Sequence, residues 1–195
     1  MIRRAIALHE AAPEQSSTIP WEKVTLAGVL ADRGKLAEAE SLFRNVVSAN
    51  RDRAFGRTLS FGMWLKDYGR VQLQCGEAVA AETTLRESLG LLGPAVPSRS
   101  RLVVDAKVLL GSALALQGRF DEADTLLADN LPFAVAIWGE ADPRTAIARS
   151  ALRDVRARST SRSGRVSSHR CPNPRRPPKL PHLWPPQTPP PGVIV

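Results

Sequence analysis

Gln117-Gly118-Arg119-Phe120-Asp121-Glu122-Ala123-Asp124 is a tight polar turn between two apolar helical runs, and the chain uses it more than once. It recurs as Asp32-Arg33-Gly34-Lys35-Leu36-Ala37-Glu38-Ala39-Glu40, and in a looser copy as Gln74-Cys75-Gly76-Glu77-Ala78-Val79-Ala80-Ala81-Glu82. The turn glycines are Gly34, Gly76 and Gly118, spaced by 76 − 34 = 42 and 118 − 76 = 42 residues. A fixed period of this size marks a repeat architecture.

The flanks keep the same period. Eight residues before each glycine come Leu26, Tyr68 and Leu110, followed by the small residues Ala27, Gly69 and Gly111. Five residues after it comes Ala39, Ala81 or Ala123, and nine after it Phe43, Leu85 or Leu127. A helical hairpin needs this pattern. A small residue on each helix lets the backbones approach, and larger apolar residues a turn away fill the seam. Glycine ends the first helix because it reaches positive φ without a Cβ clash. The acidic residues that follow favour the positive end of the second helix.

The spacing predicts helix pairs near 20–33 and 36–50, 58–74 and 77–92, and 99–117 and 120–137, with a lone helix near 143–158. Gly93-Pro94 and Pro97-Ser98 mark a joint. Pro132 predicts a break or bend near Asn130-Leu131. Asp142 can cap the last helix, with Pro143 at its first position.

The pattern resembles the tetratricopeptide repeat, in the 42-residue form of kinesin light chains and bacterial arrays. Trp138-Gly139-Glu140-Ala141-Asp142-Pro143-Arg144-Thr145 is similar to that family's LGxxHPxT joint, with alanine in place of the histidine. The resemblance covers residues 1–158. It implies an all-α solenoid of antiparallel helix pairs. A partial repeat at 1–12 and repeats near 20–56, 57–97 and 98–141 precede a partial repeat at 142–158. Half a repeat is then expected to be missing at each end, leaving end helices on which two chains could stack. From Ser159 the composition changes: ten of the 16 prolines lie in the last 37 residues. Residues 159–195 are expected to be a disordered tail with polyproline II character. Text read in a shifted frame of GC-rich DNA fits the same composition.

The net charge of +8 is unevenly placed. Six basic residues and no acid follow Arg158, which leaves 27 − 6 = 21 basic against 19 acidic residues before it. The repeat region is nearly neutral, so the high pI does not point to a nucleic-acid-binding domain. Nucleic acid is expected only through non-specific, salt-sensitive attraction to the tail. Cys75 and Cys171 give neither a disulfide framework nor metal spacing, and fit a reducing cytoplasm. No apolar run is long enough for a membrane span.

Catalytic chemistry is absent from the pattern. The histidines His9, His169 and His182 stand apart, and His169-Arg170-Cys171 lacks further ligands at metal spacing. Asp121, Glu122 and Asp124 recur as Glu38 and Glu40, and as Glu77 and Glu82, which marks them as helix-start residues. No phosphate loop or nucleophile elbow occurs. Neither a cofactor nor a metal is expected.

The resemblance implies a non-catalytic interaction scaffold that binds a peptide or protein in a concave groove lined by the first helices. An alternative it also implies is the C-terminal sensory part of a bacterial serine/threonine kinase or transcription regulator. The groove positions are Trp21, Val24, Gly28 and Ala31; Met63, Lys66, Arg70 and Leu73; and Asp105, Val108, Ser112 and Ala115. Lys66 and Arg70 suit an acidic peptide or a carboxylate. The asparagines that hold a peptide backbone in light-chain-like relatives are missing from these helices. Trp64 and Trp138 are expected to pack at joints. In the tail, Arg175-x-x-Pro178-x-x-Pro181 matches an SH3-type ligand.

Overall fold

The computed structural model describes residues 19–163. Within them lie seven α-helices and no strand: α1 (Ile19–Asp32), α2 (Leu36–Asn50), α3 (Leu59–Gln74), α4 (Ala78–Ala95), α5 (Arg101–Leu116), α6 (Phe120–Trp138) and α7 (Pro143–Ser163). A 3₁₀ turn, Ala54–Arg57, links α2 to α3. The expected elements at residues 1–12, the tail motif Arg175-x-x-Pro178-x-x-Pro181, the three histidines and Cys171 lie outside the described residues.

Each turn glycine closes its helix in the same way. Gly34, Gly76 and Gly118 have φ of 74°, 82° and 78°. The next amide donates five residues back: Lys35 to Leu30 at 2.9 Å, Glu77 to Gln72 at 2.8 Å and Arg119 to Leu114 at 3.0 Å. The glycine amides donate to Ala31, Leu73 and Ala115. This Schellman pairing satisfies carbonyls that the helix end would otherwise leave open. The looser second copy therefore has the same backbone as the other two.

The small-residue seam is equally explicit. A Cβ on Gly69 would stand 2.7 Å from Leu85 Cγ, and one on Gly111 would stand 2.7 Å from Leu127 Cγ. Both leucines are fully buried, as are Ala27, Ala39, Ala81 and Ala123. Each first helix thus lies against its second helix at the predicted pair of positions. Where the other repeats carry Leu26 and Leu110, Tyr68 stacks on Phe43 at 5.8 Å, and its hydroxyl donates to Glu40 Oε1 at 3.0 Å. The apolar core follows the array as a strip, from Leu26, Phe43 and Trp64 through Leu92 and Val103 to Leu127 and Leu152.

Three boundaries differ from expectation. α4 continues through Gly93-Pro94 to Ala95, and α6 is unbroken through Pro132. Each proline is exposed, so the carbonyl it leaves without an amide partner can be solvated. α7 runs to Ser163, so residues 159–163, read as tail, are helical. Its start is as expected: Asp142 Oδ1 accepts the Arg144 amide at 2.8 Å, with Pro143 at the first position.

Candidate functional site

The first helices α1, α3, α5 and α7 touch one another from repeat to repeat, whereas the second helices make less contact with each other. Close first helices and splayed second helices curve a solenoid with the first helices on the inner side. The inner row is therefore the candidate interaction surface.

Its middle is charged but internally matched. Lys66 is 8% exposed. Its Nζ donates to Asp105 Oδ2 at 2.8 Å and lies 3.1 Å from Asp67 Oδ1. Burial pushes the ammonium down, but the Asp67 and Asp105 carboxylates push it further up, leaving it above an ordinary lysine. Arg70 is 4% exposed, and its Nη1 lies 3.5 Å from Asp32 Oδ1. At the start of α7, Arg144 closes on Asp142 at 2.9 Å and covers the Trp138 ring at 4.7 Å. Hydrogen bonding from Arg144 outweighs burial and holds the Asp142 carboxyl below the usual range, with help from Arg101. The hydrogen bond to Asp142 in turn raises Arg144 against its partial burial, with a smaller push from the Asp105 charge. Carboxylates Asp32, Asp67, Asp105 and Asp142 thus face cations Arg70, Lys66, Arg101 and Arg144 along the row of first helices.

The other positions sort by depth. Ala31, Leu73 and Val108 are buried in the floor. Val24, Gly28, Met63, Ser112 and Ala115 are half-buried. Trp21 is 45% exposed, and its ring meets Trp64 edge-on at 5.1 Å. Trp64 itself is buried, and Trp138 is half-buried at the α6–α7 joint. Lys66 and Arg70, read as open cations, instead hold the first helices together. Their partners are Asp32 on α1, Asp67 on α3 itself and Asp105 on α5.

A model of the tetratricopeptide repeat matches residues 23–45, 67–87 and 104–129. Each segment spans the end of a first helix, its turn glycine and the start of the second helix. The chain is a tetratricopeptide-repeat protein. No protein of curated function matches it in sequence. Among solved structures, it is similar to a Podosopora anserina kinesin light chain with nearly identical TPR-like repeats. That likeness has a TM-score of 0.66 and 16% identity, over 78% of that chain and 83% of this one. A point variant of the same protein gives 0.67 and 16%, over 77% of that chain and 83% of this one. BtubC (BKLC) from P. vanneervenii gives 0.61 and 18%, over 79% of that chain and 92% of this one. At these identities the likeness concerns the fold. Among the described residues of this tetratricopeptide-repeat protein, no helix is long and apolar enough to cross a membrane.

Proposed function

We propose that the chain is a non-catalytic scaffold acting in the cytoplasm, and that a peptide or protein partner docks on the inner row of first helices. Trp21, Val24, Met63 and Ser112 meet the partner. Lys66, Arg70, Leu73, Asp105 and Val108 form the floor beneath it. The observation that carries this reading is Trp21, a large aromatic packed edge-on against the buried Trp64 yet open to solvent. Such anchors dominate interface energetics. Repeats of this kind mediate protein–protein interaction in general.

The test is affinity capture with quantitative mass spectrometry, comparing Trp21→Ala and Val24→Asp with Val79→Asp. Val79 lies on α4, is 68% exposed, and serves as the outer-side control. Partners lost with both inner variants and kept with Val79→Asp support the reading. Partners lost only with Val79→Asp refute it.

A further inference from the structure

Resting on the docking row proposed above, we infer that its partner is an uncharged extended segment that presents a proline, aromatic or aliphatic side chain to Trp21. The balance of charge along the row supports this. Every cation in the middle of the inner face already faces a carboxylate of this chain: Arg70 faces Asp32, Lys66 faces Asp67 and Asp105, and Arg144 faces Asp142. Arg101, at the entrance to α5, lies near enough to Asp142 to act on it. An acidic segment would have to displace one of these internal carboxylates and leave it buried without its cation. Removing one member of a buried pair is strongly unfavourable. A basic segment meets the same obstacle with the signs reversed, since Asp32 and Asp105 are already engaged.

The next charge in the same register is Asp154 on α7, one period after Ser112. It is an exposed carboxylate and gives an acidic segment no help. The uncharged part of the row is built for close approach. Gly28 has open space where a side chain would be, with nothing within 4 Å of a Cβ there. Ser112 and Ala115 are small and half-buried. Trp21 supplies the apolar contact, and Leu59, at the start of α3, is likewise exposed. An aromatic platform pre-set by a buried ring loses little entropy on binding. Specificity here comes as much from rejecting charge as from the anchor.

The experiment selects random dodecapeptides displayed on phage against the full-length chain, then measures the enriched peptides by titration. Circular dichroism checks that Trp21→Ala, Trp21→Phe and Val24→Asp keep the native helix content. The expected peptides carry no net charge. Their affinity changes less than about twofold between low and high salt, because no ion pair forms across the interface. It falls about tenfold or more in Trp21→Ala, as for a hot-spot aromatic, and returns in Trp21→Phe. Charged peptides that depend on Trp21 and Val24 and weaken steeply with salt would overturn this inference while leaving the docking row intact. If no enriched peptide depends on Trp21 or Val24, the docking row itself fails.

Discussion

The same substitution, glycine to alanine, should act with opposite sign at two positions on first helices of this array. Gly28 in α1 has nothing within 4 Å of a Cβ, and its φ is not positive. Alanine there gains helix propensity and limits the unfolded chain, which stabilises by about 0.5–1 kcal/mol. Gly111 in α5 has the same propensity to gain, but its Cβ would meet Leu127 Cγ at 2.7 Å and Cδ2 at 2.8 Å. Leu127 is fully buried and cannot swing away without disturbing the α5–α6 seam. Overpacking of this kind costs about 1–3 kcal/mol. Gly111→Ala should therefore be neutral to about 2 kcal/mol destabilising, on the order of 1–3 kcal/mol worse than Gly28→Ala.

The cause can be isolated. Leu127→Ala alone should cost about 2–5 kcal/mol as a buried truncation. In that background the clash is gone, so Gly111→Ala should become stabilising by about 0.5–1 kcal/mol. Urea unfolding followed by far-UV circular dichroism reads all four corners of the cycle. If Gly111→Ala stabilises as much as Gly28→Ala does, close backbone approach does not explain the small residue. The same holds if the two changes add within about 0.5 kcal/mol, the scatter of uncoupled sites.

Breaking the buried pair by Lys66→Ala or Asp105→Ala should cost about 3–5 kcal/mol, and the double change Lys66→Met/Asp105→Leu should recover most of it; urea midpoints decide, and equal losses in single and double variants would contradict the pairing. The Asp142 carboxyl, held low by Arg144, and Glu82, held low against its burial by Gln117, Arg86 and Arg119, contribute stability that is full above the ordinary carboxylate range and lost as pH falls through it. Melting temperature should thus be flat from neutral pH to about 5 and drop below about 4, less steeply in Asp142→Asn; a drop beginning near pH 6 would implicate other groups. Pro132 is exposed inside α6 and the carbonyl it leaves open is solvated, so Pro132→Ala should restore one amide donor and stabilise by only about 0.5–1.5 kcal/mol, read as a raised melting temperature; a lowered melting temperature would show that the ring is a packing element. At Arg153, one period after Gly111, a long exposed cation stands where the other first helices are small. Arg153→Ala with Arg156→Leu should turn that side of α7 into an adhesive seam and add dimer in sedimentation velocity, whereas a dimer already present and unchanged would contradict this.

The helix pairs were legible because their determinants are local and repeat with the period. A turn glycine needs positive φ, and a seam needs a small residue opposite Phe43, Leu85 or Leu127, so each requirement appears as a residue type at a fixed offset. The prolines misled for a related reason. Pro94 and Pro132 carry the same local signal as a helix break, but both face water, where an unpaired carbonyl costs little. Whether a proline ends a helix depends on which way that carbonyl points, and its position in the period alone does not show this.

The inner row was only half legible, and the reason lies in how repeats stack. Aligning residues by 42 puts Lys66 opposite Val24 and Val108, and Arg70 opposite Gly28 and Ser112, so both cations look unmatched. In space, Lys66 meets Asp105, which is 39 residues on, and Arg70 meets Asp32, which is 70 − 32 = 38 residues back. Each partner lies three or four residues short of the period, one helical turn. Consecutive first helices are thus staggered by a turn. Between second helices, Arg51 and Glu87 pair at a separation of 36, which is short of the period in the same sense. Period-equivalent positions share a role within their own repeat, but the charged partners across repeats sit about one turn out of phase. Scanning the sequence at 42 minus one turn would have matched both cations with carboxylates. It would have replaced the expectation of cations free for an acidic peptide with a charge-balanced row of first helices.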